Sequence, residues 1–308
     1  MAHQFPPLCW VGLPLSVWPT GQHDGSLQLA RGPYVSATAQ DPARMPPAIA
    51  AYAIAAYTRP GDTVVDPDCG AGTVLVEALC AGRHAIGTTH HHRWRTIARA
   101  NVTAAKRDGA VTDGMVLDGP PDATAMRNAG LAGHSDLLLT AWRPPLRSRA
   151  HRTDELDRGT SATAAEGAAV DRLHTLLVQC QPLLRPGGYV IVVVPRHRSR
   201  DALLDLPGHV ARVGRTGGLL PVERCVALLS GLRDSRLVVR ASLAERRSVA
   251  RHERVLAQPV MLPTHQDVLI FQTPRHTAAA ALSAPPHGPS PLRRRERAAA
   301  VSQGRAAA

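Results

Sequence analysis

The stretch Asp66-Pro67-Asp68-Cys69-Gly70-Ala71-Gly72-Thr73 constrains this chain more than any other. It follows the short apolar run Thr63-Val64-Val65 and opens into a helical pattern in which Leu75 and Leu79 share a face and Gly82 is the stop. A strand ending in Asp, then G-x-G, then a helix is a ligand-loop pattern. The glycines let the backbone turn tightly and come close to a ligand. The amides that open the helix suit an electron-rich or carboxylate group. A dinucleotide fingerprint would place a third glycine three residues after Gly72, where this chain has Leu75. That counts against NAD and FAD.

Strand-like and helix-like segments alternate on either side of this loop. Ala-rich residues 45–57 read as a helix ending before the Pro60-Gly61 turn. Strands are expected at 63–66, 85–88, 115–117, 136–140 and 189–194, and two more at 222–229 and 267–271. Helices are expected at 73–81 and 94–106, and a third where Val170, Leu173, Leu177, Cys180 and Leu184 recur at helical spacing. Tyr189 to Val194 is apolar throughout, as a strand covered on both faces must be. The alternation implies an α/β fold, a doubly wound Rossmann-like sheet, mostly parallel. Three zones are expected: a Pro- and Gly-rich N-terminal extension over 1–45, partly ordered; one domain over 46–273; and a disordered basic tail over 274–308.

Composition narrows the partners. The formal net charge of +12 comes almost wholly from arginine, with Lys106 the only lysine. Arginine forks pair with phosphates, so a polyanion suits this chain, although a bias toward Arg, Ala, Gly and Pro codons gives the same charge. The five cysteines are scattered and form no C-x-x-C, which argues against disulfides and zinc and for a reduced, cytoplasmic setting. No apolar run reaches the roughly 18 residues that span a bilayer, and no signal peptide or membrane partner is expected. His90-His91-His92 are consecutive and share no face, so no metal is expected there. Cys69 has no partner base that would make it a nucleophile.

Asp66-Pro67-x-Cys69-Gly70-x-Gly72-Thr73 resembles motif I of the class I S-adenosylmethionine-dependent methyltransferases, and more narrowly the amino-methylating enzymes of DNA adenine or cytosine and their RNA-acting relatives. Asp41-Pro42-Ala43-Arg44-Met45-Pro46-Pro47 resembles the segment those enzymes place before motif I at the methionine end of the cofactor. Leu184-Arg185-Pro186-Gly187-Gly188-Tyr189 resembles the turn into their fifth strand, and residues 221–234 resemble the C-terminal strands of actinobacterial DNA methylase-like members. The resemblance implies a seven-stranded sheet, S-adenosylmethionine as cofactor, and a nucleic-acid partner, with DNA favoured over RNA. It implies that Asp66, Pro67, Cys69, Gly70, Gly72 and Thr73 shape the pocket, and that Asp118 or Asp122 approaches the adenine amine.

Two stretches depart from the family. After the second strand the family places an acidic acceptor for the ribose hydroxyls, and this chain has Ile86-Gly87-Thr88-Thr89-His90, where the Thr88 hydroxyl is the substitute. The family's catalytic Asp, Asn or Ser, then Pro-Pro, then Tyr or Phe becomes Ala141-Trp142-Arg143-Pro144-Pro145-Leu146. Pro144, Pro145 and Trp142 are the catalytic candidates that remain, Trp142 as a stacking face for a flipped base. Arg143 has donors only, where an amine-aiming acceptor is wanted. The functions that stay open are a methyltransferase on a DNA base amino group, one acting on RNA, and a catalytically inactive scaffold with the same fold; a small-molecule methyltransferase is disfavoured because the flanking resemblance points to the nucleic-acid group.

Overall fold

The structure is a computed structural model that describes residues 15–119, 123–128, 130–143, 162–195, 198–199, 202–203 and 205–275. Strand β1 (Val17–Trp18) and helices α1 (Gly25–Arg31) and α2 (Pro47–Tyr57) precede the loop-bearing unit of β2 (Thr63–Asp66) and α3 (Thr73–Cys80). Then follow β3 (His84–Thr89), α4 (His92–Arg107), β4 (Gly114–Asp118), α5 (Ala123–Asn128), β5 (Ser135–Ala141), α6 (Ala162–Cys180) and β6 (Leu184–Val194). A two-stranded ribbon, β7 (Arg198–Ser199) and β8 (Ala202–Leu203), leads to α7 (Leu206–Thr216) and β9 (Leu220–Leu228). The hairpin β10 (Gly231–Arg233) and β11 (Arg236–Val238), helix α8 (Leu243–Leu256) and β12 (His265–Gln272) complete the described chain.

The sheet has eight strands, in the order β1-β9-β12-β6-β5-β2-β3-β4. Seven were expected. The eighth, β1, adds two residues parallel to β9 at the edge, Val17 against Val226 and Trp18 against Ala227. Two residues are too short a run to carry a period, so the alternation signal could not reveal this strand. β12 alone runs against its neighbours within the seven-stranded body. The chain winds outward from β2 through β3 to β4, then returns to β5 on the other side of β2. That reversal opens a crevice at the carboxyl ends of β2 and β5.

Side-chain alternation divides the core into two layers. Val64, Leu137, Leu139, Ile191, Val193, Val268 and Ile270 face α2, α3 and α4, joining Ile49, Ile54, Leu75 and Leu79. Val65, Leu138, Val190, Val192, Val194, Leu269 and Phe271 face α6 and α7, joining Leu173, Leu177, Val210 and Val213. Successive residues of one strand point to opposite faces, so an uninterrupted apolar strand such as Val190–Val194 serves both layers. The N-terminal segment joins the first layer: Trp18 is buried and stacks on Tyr52 of α2, centroids 4.6 Å apart.

One partly buried acid sits in this packing. Glu77 of α3 accepts a hydrogen bond from the Tyr34 hydroxyl. Burial pushes its carboxyl up to about 7, against the pull of that bond. A carboxyl whose folded pKa is raised holds its proton longer folded than unfolded, so its contribution declines as pH rises from about 4.5 to about 7. Glu77→Gln removes this titration. Relative to the parent, it is expected to gain stability by about 1–2 kcal/mol between pH 5 and pH 8, read by urea unfolding at the two pH values. An equal difference at both would contradict the assignment.

Candidate functional site

The Gly70 loop is held by its neighbours on three sides. The Thr88 hydroxyl donates to the Pro67 carbonyl at 2.6 Å, and the Cys69 amide donates to the Thr88 carbonyl at 2.9 Å, tying the loop to β3. Asn101 of α4 braces it from behind: Nδ2 donates to the Ala71 carbonyl at 2.8 Å, and Oδ1 accepts from the Val35 amide at 2.8 Å. Asp41 closes it from the N-terminal segment, where Oδ2 accepts from the Ala71 amide at 3.0 Å and Oδ1 from the Ala43 amide at 3.0 Å. Gly70 (φ +50°) and Gly72 (φ +83°) both adopt the left-handed conformation that this path requires.

A charged cluster fills the crevice beside the loop. Arg143 lies two residues beyond β5. Its Nη1 stands 3.4 Å from Asp41 Oδ2 and its Nε 3.7 Å from Asp68 Oδ2. Burial opposes the charge of Arg143, but Asp68, Asp41 and Asp66 outweigh it, so its pKa lies above the ordinary guanidinium value. Asp66, the last residue of β2, is buried, and its Oδ1 accepts from the Asp68 amide at 3.1 Å. Burial pushes the Asp66 carboxyl up to about 7. Arg143 and hydrogen bonds from the Asp68 amide and Thr140 hydroxyl pull it down, while Asp68 pushes it up. A Cβ built on Gly70 would stand 2.3 Å from Arg143 Nη2 and 2.4 Å from Asp41 Oδ2, so the cluster lies directly against this glycine.

The other residues singled out from the sequence fall in several places. Thr73, at the start of α3, is buried, and its hydroxyl has no hydrogen-bond partner among the described residues. Burial pushes the Cys69 thiol well above its ordinary pKa, so it stays protonated. The Thr88 hydroxyl spends its proton on the loop and has only lone pairs left for a ligand. Asp118 ends β4 exposed, in an ion pair with Arg95. Trp142 is a core side chain, buried with Val65, Leu138 and Val192, and its amide continues the β5–β6 pairing by donating to the Val193 carbonyl. A ring packed this way has no face open for stacking, and the alternation of inward and outward residues past β5 is the reason. Pro144, Pro145 and Asp122 lie outside the described residues. Among the described residues, no group of His, Cys, Asp and Glu is arranged to hold a metal, and no helix is long and apolar enough to cross a membrane.

Sequence reading singled out neither Asp68, Asn101 nor Arg143 as a pocket residue. Asn101 carried a signal: it interrupts the stripe formed by Ile97, Ala98, Val102 and Ala105 on α4, all buried. A polar residue on such a stripe needs a partner. Asp41 lay within the 41–47 segment.

The strand order, with β12 reversed and the crevice between β2 and β5, is a doubly wound α/β arrangement. Residues 14–99, from β1 through the first half of α4, match the family model described as DNA methylase. Over these residues the chain is similar to the DNA methylases. No curated protein matches it. TrmN from Thermus thermophilus is similar at 14% identity over 77% of this chain and 51% of that one, with a TM-score of 0.46. A TehB-like SAM-dependent methyltransferase from Corynebacterium glutamicum is similar at 13% identity, over 73% and 86%, with a TM-score of 0.39. This chain spans about half the length of the TrmN structure. The family match covers Asp41, the Gly70 loop and Thr88, and ends before β5, so Ala141 and Arg143 lie beyond it.

Proposed function

We propose that this chain is an S-adenosylmethionine-dependent methyltransferase acting on an amino group of a nucleic-acid base, DNA before RNA. The observation that carries the reading is the charge of the crevice. Asp41, Asp66 and Asp68 converge beside the Gly70 loop, and Arg143 is the one cation set against them among the described residues. A pocket with more carboxylates than cations suits a ligand that brings positive charge, and the methionine end of the cofactor carries an ammonium and a sulfonium against one carboxylate. The Thr73 hydroxyl, without a hydrogen-bond partner among the described residues, and the left-handed glycines of the loop fit the same group.

When bound, the cofactor supplies a methyl group on sulfonium. The chain's share is positioning. Asp41, Asp66 and Asp68 would hold the cationic end, and Gly70, Gly72 and Thr73 would shape the backbone around it. Residues 141–143 offer an incoming amine no side-chain acceptor, since Ala141 has none, Trp142 is buried and Arg143 only donates. Backbone carbonyls are the acceptors left at this strand end.

One observation favours a second reading, an inactive scaffold: Arg143 itself occupies the carboxylates that would take the ligand's ammonium. Two measurements decide. Titration with S-adenosylhomocysteine is expected to give saturable binding that tightens severalfold from pH 6 to pH 8, as Asp66 loses its proton through about 7. No saturation at millimolar ligand would sink both the cofactor and the enzyme. Labelled-methyl transfer to DNA, tRNA and rRNA then separates enzyme from scaffold and names the substrate pool.

A further inference from the structure

Residues 229–264 connect β9 to β12 and pair with neither strand along the body of the sheet. Strand direction fixes where they emerge. β12 is antiparallel to both β6 and β9, and β6 is parallel to β5. β9 therefore ends at the same edge as β5 and β2, the edge that carries the Gly70 loop. Two strands, β12 and β6, separate β9 from β5. At about 4.8 Å per strand, the segment is rooted about 14 Å from the tip of β5.

The segment carries seven arginines against three acidic residues. Arg247, Arg251 and Arg254 of α8 follow one another at i, i+4 and i+7, so they share one face. All three are exposed, and among the described residues none is ion-paired. No described side chain of α8 is buried. Its N-terminus is closed by a reciprocal capping box between Ser242 and Glu245. Apolar packing gives most protein helices their stability, and here it is limited to a half-buried strip that includes Val249, Ala250 and Leu256.

The hairpin supplies a second, independent observation. Arg233 and Arg236 stand directly opposite each other across β10 and β11, both exposed. They flank a two-residue turn in which Asp234 and Ser235 are left-handed, at φ 43° and 64°. Like charges directly across a strand pair destabilise it. An anion between them would turn that cost into binding.

We propose that α8 and the β10–β11 hairpin form a docking surface for duplex DNA, with Arg247, Arg251, Arg254, Arg233 and Arg236 on its phosphates. The inference rests on the methyl-transfer reading for its purpose and deepens it by locating the DNA. A helix with an exposed arginine face fits the major groove of B-form DNA, about 12 Å wide, and not the deep, narrow one of A-form RNA. From Arg247 to Arg254 the helix rises about 10 Å, roughly three base-pair steps. Aromatic residues make up 3% of the chain, too few for a platform that stacks single strands.

The test uses the full chain and a labelled 24-base-pair DNA duplex, read by fluorescence anisotropy across a salt series. The triple variant R247A/R251A/R254A is expected to weaken binding at least tenfold at 100 mM salt. Its slope of log K against log salt should be shallower by about 2 to 3. Arg236→Ala is expected to weaken DNA binding severalfold while leaving Tm unchanged or higher, a pairing of effects that a merely structural arginine would not give. Both variants should bind S-adenosylhomocysteine as the parent does. An unchanged slope in the triple variant overturns the proposal. So does an RNA duplex or a single strand that binds the parent as tightly as duplex DNA. The DNA slope is scored on its own, so absent S-adenosylhomocysteine binding would remove the methyl-transfer reading and leave the docking surface standing or falling by its own result.

Discussion

Arg143→Met is expected to lower the unfolding free energy by about 3 kcal/mol at pH 8, and by less at pH 5. The guanidinium is mostly buried, with its side chain 18% exposed, among carboxylates that are themselves mostly buried: Asp41 is 2% exposed and Asp68 26%. Removing one partner of a buried ionic group costs more than the pair contributes, because the other charges remain uncompensated. The sign with pH follows from Asp66. Arg143 pulls the Asp66 carboxyl down toward about 7, so without Arg143 it rises further. The penalty therefore grows as pH rises through about 7 and shrinks as Asp66 takes up its proton. For a domain of this size the loss at pH 8 corresponds to roughly 6–12 °C in Tm. Adding Asp41→Asn should recover part of it, and a double-mutant cycle should show the two changes coupled by about 1–2 kcal/mol. Additive changes would mean that the 3.4 Å contact carries little energy. On the methyl-transfer reading the same variant should also tighten S-adenosylhomocysteine severalfold, since the ligand's ammonium and the guanidinium compete for the same carboxylates.

The fold was legible because its signals are local and repeated. Val64-Val65-Asp66 followed by the glycine turn defines β2, its loop and α3 within a few residues. The apolar run at 190–194 could satisfy a two-sided strand and little else. What was missed lacked such a signal or set two signals in conflict. β1 is two residues long. α7 contains Gly208 and Gly214, which weaken a helix, and a Pro207-Gly208 pair that reads as a turn; Pro207 in fact falls in the first turn, where a proline costs nothing, and Val210 and Val213 bury against β12 and its neighbours. α8 announced itself through Ser242-x-x-Glu245, a capping pattern readable in the sequence, but offers no apolar stripe to follow it. The site was legible where it is contiguous and illegible where it is not. Asp66 to Thr73 form one stretch, whereas Asp41 and Arg143 are 102 positions apart and meet only because β5 ends beside β2. Spacing along the chain carries no trace of that meeting. Trp142 shows the converse: its place in a catalytic-looking stretch suggested an open ring, and the inward turn of the residue past β5 buries it.

Gly70→Ala is expected to cost S-adenosylhomocysteine affinity at least tenfold, and Gly70→Arg to abolish detectable binding. Two effects act together at this position. The left-handed φ of +50° penalises any side chain by roughly 1–2 kcal/mol. The new Cβ would also stand 2.3 Å from Arg143 Nη2 and 2.4 Å from Asp41 Oδ2, too close to remain, so the carboxylate that anchors the Ala71 amide must move. Gly82 separates the two. It too is left-handed, at φ +74°, in the turn after α3, but a Cβ there meets nothing within 4 Å. Gly82→Ala should therefore show the backbone strain alone: a Tm a few degrees lower and unchanged ligand affinity. Gly70→Ala should show that strain and lose the ligand. If the two variants lose stability equally and both keep S-adenosylhomocysteine binding, the Gly70 loop is an ordinary turn and the crevice beside it is not the cofactor site. If Gly70→Ala alone loses the ligand, the close approach of Asp41 and Arg143 to this glycine is what shapes the pocket.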